Sequence, residues 1–117
     1  MKRTPIISGE EILKLIPQRP PIVMVDTFCG IEDNSSYSGL TITSDNIFCQ
    51  DGRLQEAGII EHIAQSAAAR IGYIYLQQNG TVPLGFIGSV DKLTIHHLPE
   101  VGQELFTEIT VIQEVFD

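Results

Sequence analysis

Three side chains near the middle of the sequence carry the groups that acid–base catalysis needs: Glu61, His62 and Gln65, in the stretch GIIEHIAQSAAARIGY over residues 58–73. A carboxylic acid can give a proton to a leaving oxygen, and an imidazole can take one from carbon. Each must sit within hydrogen-bond reach of its proton, with a pKa tuned by burial. On a helix Glu61 and Gln65 share a face, one turn apart. His62 points about 100° around the axis from Glu61, so the two do not converge within one chain, and His62 becomes an alternative base only across a dimer interface. The plainer readings stand beside these: Glu61 as a carboxylate facing the helix dipole, Gln65 as a partner for buried backbone groups. Asp51 is a second alternative base, although Asp51-Gly52 is first of all a turn signal. His96 and His97 lack the further ligands of a metal site, so no metal and no cofactor is expected. Tyr73 and Tyr75 are expected to pack.

These residues need a helix to position them. From Leu54 to Gln78 there is no proline and only two glycines, Gly58 and Gly72. Ala57, Ile60, Ala64, Ala67, Ile71 and Ile74 recur at helical spacing, which predicts a helix about 36 Å long. Ile59, Ile63, Ala68 and Ala69 extend its apolar character around most of the circumference, predicting burial on more than one side. Upstream, Ser8 with Glu11 forms a capping-box pattern for a short helix ending at Pro17. PQRPP then forces an extended entry. Ile22–Ile31 reads as a strand, EDNSS as a turn, and Tyr37–Thr43 as an antiparallel partner. Residues 44–53 read as a loop. After the helix, Leu84–Leu98 and Glu104–Phe116 read as strands joined by PEVGQ, with one of His96 and His97 facing the helix and the other solvent.

One long alanine-lined helix and about four antiparallel strands predict an α+β domain over residues 1–117, a curved sheet wrapped around a central helix. The last strand runs to Phe116-Asp117 without a turn. Either a partner completes the sheet, or the chain lacks its final strand.

Composition narrows the function. Of 117 residues, 15 are acidic and 7 basic, a net charge of −8, which argues against a nucleic-acid partner. No apolar run approaches the ~20 residues of a membrane span, and nothing resembles a signal peptide. Cys29 and Cys49 show no metal spacing and read as thiols of a reduced compartment. A cytoplasmic location is expected.

The segments LIPQRPPIVMVD (15–26), E-x-x-A-Q (Glu61–Gln65) and GSVDKLTIHHLPEVGQEL (88–105) resemble the hotdog-fold 3-hydroxyacyl-[acyl carrier protein] dehydratases. The likeness runs in order over about residues 10–115. It implies a hotdog fold, and a homodimer whose sites draw a histidine base from one subunit and a carboxylic acid from the other. Glu61 falls on the family's carboxylate and Gln65 on its helix glutamine. The histidine position falls on Ile47, or on Gln50 or Asp51 with a short loop deletion; it is a histidine in no alignment. The family's glycine- and proline-rich loop is replaced by NIFCQDGRLQEA, and the position whose N–H holds the thioester carbonyl becomes Glu56. That loop is closer to a divergent branch of predicted acyl carrier protein dehydratases, some found with polyene-pigment genes.

The resemblance implies an acyl thioester on acyl carrier protein or coenzyme A as the partner, in fatty-acid or polyene-type biosynthesis. Gln65, Gly58, Phe86 and Ile87 would hold the substrate, with the acyl chain in a tunnel beside the helix, and Glu61 would be the acid. The absent histidine implies an alternative, a non-catalytic acyl-binding subunit that works with a histidine-bearing partner. A thioesterase of the same fold, with Glu61 activating water, is a second alternative, and a purely structural dimerisation module is a third.

Overall fold

The computed structural model describes residues 3–78 and 92–112. In chain order these form β1 (Ile7–Ser8), a 3₁₀ helix (Gly9–Lys14), β2 (Thr27–Glu32), β3 (Ser35–Thr41), β4 (Cys49–Gln50), β5 (Arg53–Leu54), α1 (Glu56–Gln77) and β6 (Glu104–Thr110). The architecture is α+β: α1 lies against an antiparallel sheet ordered β1-β2-β3-β6. None of the described helices is long and apolar enough to cross a membrane.

The expected hairpin of β2 and β3 is present, and β6 pairs along all of β3, from Ser35 opposite Thr110 to Thr41 opposite Glu104. β6 alternates, with Leu105, Thr107 and Ile109 half-buried between exposed neighbours. Ser36, Ser38 and Leu40 stand opposite Ile109, Thr107 and Leu105 on the same sheet face, and all three are buried. One apolar cluster gathers Ile12, Leu15, Ile16, Val25, Phe28 and Ala69; a second gathers Met24, Leu40, Ile42 and Leu54. Tyr73 packs, its ring 5.0 Å from that of Phe28.

Several elements differ from expectation, each for a local reason. Ser8 makes no side-chain cap; Gly9 instead turns the chain at φ +61°, and the short helix is 3₁₀. The strand predicted from Ile22 begins at Thr27, because the backbone of Ile22 and Met24 bonds to side chains of α1. The loop over 44–53 contains a hairpin end: Cys49–Gln50 pairs with Arg53–Leu54. Asp51 and Gly52, both at positive φ (54° and 78°), make the two-residue turn, with the twist that tight hairpins require. Of the strand expected over Leu84–Leu98, residues 84–91 lie outside the described residues and 92–98 form none. The strand expected from Glu104 is regular to Thr110, and residues 113–117 lie outside.

The largest difference is which side of α1 is buried. Its packed residues are Gly58, His62, Gln65, Ser66, Ala69, Arg70 and Gly72. Ile60 and Ile71, from the expected apolar stripe, remain 37% and 39% exposed. Close approach explains the choice. A methyl at Gly72 would overlap the backbone of Leu15, and one at Gly58 would come 2.6 Å from Phe48 and Leu54. Glycine and small polar residues let the layers meet where isoleucine would hold them apart.

Candidate functional site

The N-terminal half of α1 sews down the extended segment Ile22–Met24 with side-chain bonds. Gln65 is fully buried. Its Oε1 accepts the Met24 N–H at 2.6 Å, while its Nε2 donates to the Ile22 carbonyl at 2.9 Å and to Glu61 Oε2 at 2.8 Å. His62, 1% exposed, faces the Met24 carbonyl through Nδ1 at 2.6 Å and the Thr107 hydroxyl through Nε2 at 2.6 Å. A carbonyl only accepts, so Nδ1 carries the proton and donates; Nε2 then accepts from Thr107. Burial pushes the imidazole pKa below its ordinary value, against the smaller opposing effect of the Met24 bond. His62 is thus held as a neutral ring with both nitrogens engaged.

Glu61 is half-buried at the border between the packed face of α1 and its exposed side. One carboxylate oxygen takes the Gln65 amide, an i, i+4 bond that fixes the carboxylate in one orientation; the other makes no bond among the described residues. Gly58 is buried one turn earlier, against Phe48 and Leu54. Glu56 is exposed in the first turn. Asp51 is at the exposed tip of the β4–β5 hairpin, with no bond to Glu61 or Gln65 among the described residues. Ile47 is 53% exposed and Gln50 is exposed. His96 and His97 are both exposed and not in a strand, so the expected alternation between helix and solvent is absent. Phe86 and Ile87 lie outside the described residues.

Two polar residues of the site's surroundings were not singled out from the sequence. Thr107 completes the His62 pair, and only the β3–β6 register reveals it. Asp26 was visible only as the end of IVMVD. Its carboxylate accepts the Thr41 N–H at 2.8 Å. Burial raises its pKa, with bonds from Thr41 and Thr27 opposing and nearby Glu104 adding to the rise. A separate cavity of about 340 Å³ is lined by Arg3, Cys29, Tyr37, Ser38, Phe106, Thr107 and Glu108. It includes neither Glu61 nor Gln65. Strand alternation turns Tyr37, Phe106 and Glu108 away from α1.

Chemically, the arrangement offers one oriented carboxyl group, one oxygen of which has no bond among the described residues. Among the described residues no second titratable side chain bonds to it. A single acid of this kind can deliver a proton but cannot also remove one from a neighbouring carbon in the same step.

The family model described as ApeP-like, ApeP dehydratase, matches residues 10–114. No curated protein matches the chain. Among solved structures, a chain of the dehydratase heterocomplex ApeI:P from Xenorhabdus doucetiae superposes with a TM-score of 0.81 at 18% identity. The match covers 97% of this chain and 75% of that one. At that identity the likeness carries the hotdog-type fold.

Proposed function

The chain belongs to the ApeP-like dehydratase family, and from that membership we propose that it is the acyl-thioester-binding, acid-bearing subunit of a hotdog dehydratase heterocomplex. Its substrate would be a 3-hydroxyacyl thioester on acyl carrier protein or coenzyme A. The observation that carries the reading is the state of His62: Met24 and Thr107 engage both ring nitrogens, and burial favours the neutral ring. The imidazole beside Glu61 is therefore committed to the fold, and the family's histidine position falls on Ile47, Gln50 or Asp51, none of them a histidine. The base comes from a histidine-bearing partner chain.

In this reading the partner's histidine removes the α-proton of the thioester. The α-carbon electron pair forms the new double bond as the β-carbon–oxygen bond breaks. Glu61 gives its proton to the departing hydroxyl, which leaves as water, and the product is the enoyl thioester. Gln65 acts as a positioning residue, because its amide hydrogens are spent on Ile22 and Glu61. Heterocomplex formation by the solved relative supports the partner requirement.

The test is an assay of 3-hydroxydecanoyl thioester with this chain alone, with a histidine-bearing hotdog dehydratase chain alone, and with the two together. Enoyl product is expected only from the mixture. Dehydration by this chain alone would sink the partner requirement, and free thiol without enoyl product would make it a thioesterase. A mixture in which Glu61→Gln works as well as the parent would remove Glu61 from the chemistry.

A further inference from the structure

Met24 is gripped by α1 on both sides of its Cα. Its N–H goes to Gln65 Oε1 at 2.6 Å, and its carbonyl takes the proton of His62 Nδ1 at 2.6 Å. His62 and Gln65 are three positions apart, so they are neighbours on the helix surface. A further hold comes from the loop after β3, where Asn46 Nδ2 donates to Met24 Sδ at 3.3 Å. The Met24 side chain is 1% exposed and packs with Leu40, Ile42 and Leu54.

From Met24 a line of hydrogen bonds runs in two directions. One passes through the His62 ring to Thr107, whose hydroxyl donates to Nε2 at 2.6 Å. Bonded through both nitrogens, the ring cannot turn without breaking these contacts. Thr107 is itself placed by β6, through its pairing with Ser38 in the β3–β6 ladder. The other direction passes through the Gln65 amide to Glu61 Oε2 at 2.8 Å. That amide is planar and each of its groups has a partner: the oxygen takes Met24, and the nitrogen serves Ile22 and Glu61. Its plane therefore follows Met24, and the carboxylate follows the plane.

We propose that Thr107 and His62 are positioning residues for the reaction: through Met24 and Gln65 they set the orientation from which Glu61 gives its proton. Ile22–Met24 lies before β2, where side chains of α1 hold the backbone. A shift at one of those side chains is passed on to the others. Hydrogen bonds in a low-dielectric interior also polarise one another. Proton delivery is sensitive to such shifts, since a misplacement of about 1 Å can cost about 100-fold in rate. That Glu61 gives a proton rests on the dehydratase reading; the line of bonds does not.

The experiment removes the Thr107 hydroxyl and keeps its shape. Thr107→Val should lower kcat of the assembled complex by about 10–100-fold with KM within about two-fold, measured well below the melting temperature. Thr107→Ser should restore most of the rate. In a Glu61→Gln background Thr107→Val should add no further loss, because the group it acts through is already gone. Unchanged kcat in Thr107→Val, or its full loss repeated beside Glu61→Gln, would overturn the proposal. If Thr107→Val fails to fold, Thr107→Ala is read in the same way. A second readout needs no activity: the Gln65 side-chain amide signals in the NMR spectrum of isotope-labelled chain should move in Thr107→Val and return in Thr107→Ser. Signals that stay in place in an active complex would sink the positioning and leave the dehydratase reading intact. Signals that move, in a parent complex that forms no enoyl product, would do the reverse.

Discussion

At the scale of the residue, the adjacent pair Glu61-His62 divides into two jobs. Glu61 lies at the border of the packed face with one oxygen unbonded among the described residues, whereas His62 is a buried tie between α1, Met24 and Thr107. His62→Ala would leave a carbonyl and a hydroxyl without their partner and open a cavity. We expect a loss of about 2–4 kcal/mol, read from the shift of the urea midpoint. Glu61→Gln keeps an oxygen for the Gln65 amide, so stability should stay within about 0.5 kcal/mol of the parent. Dehydration by the assembled complex should fall by about 10²–10⁴-fold, in kcat more than in KM. The sequence showed both residues and their divergence around the helix. It could not show which one the fold would consume, because that depends on Thr107, 45 positions away, reaching His62 through strand register.

At the scale of the element, close approach decides more than hydrophobicity. The sequence made α1 legible as a helix to within two residues at its start, since helical spacing without proline allows little else. It predicted burial on more than one side, whereas Ile60 and Ile71 of the most apolar stripe stay 37% and 39% exposed. Gly72 shows why: the space there ends at the Leu15 backbone, which cannot move aside as a side chain can. Gly72→Ala should therefore destabilise by about 1–2 kcal/mol in a thermal melt, although alanine is favoured over glycine in helices by about 1 kcal/mol. An unchanged or raised melting temperature would show that α1 and the 3₁₀ segment can separate at no cost. The Asp51-Gly52 turn was readable from its residues; the short β4–β5 pairing on either side was not, since two-residue strands carry no periodicity.

At the scale of the whole molecule, buried His62 and half-buried Asp26 set opposite pH dependences. The pKa of folded His62 lies below its unfolded value of about 6.5, so the unfolded chain binds the extra proton first. Its contribution is complete above pH 6.5 and is lost as pH falls from there toward the folded pKa. Asp26 shifts the other way: its folded pKa lies above the ordinary 3.8, so the native state binds the proton first. Ionised Asp26 costs stability at neutral pH, and that cost is relieved as pH falls through its folded pKa. Urea midpoints at several pH values should thus fall below pH 6.5 in the parent. In Asp26→Asn they should fall more steeply at the acid end, because the opposing gain is removed. Parallel curves for the two proteins would show that Asp26 does not titrate differently in the folded state.

The sequence by itself determined the family, the long helix, the β2–β3 hairpin and the pair of residues, Glu61 and Gln65, that carries the likeness. Those follow from local spacing and from motifs kept in order along the chain. Only the tertiary structure decided that Gln65 clamps Ile22, Met24 and Glu61 together, that His62 is tied at both nitrogens, and that glycine and small residues, not Ile60 and Ile71, form the packed side of α1. Each of those depends on how closely two distant segments can approach. The size of the side chains between them sets that distance, and periodicity along one segment does not record it.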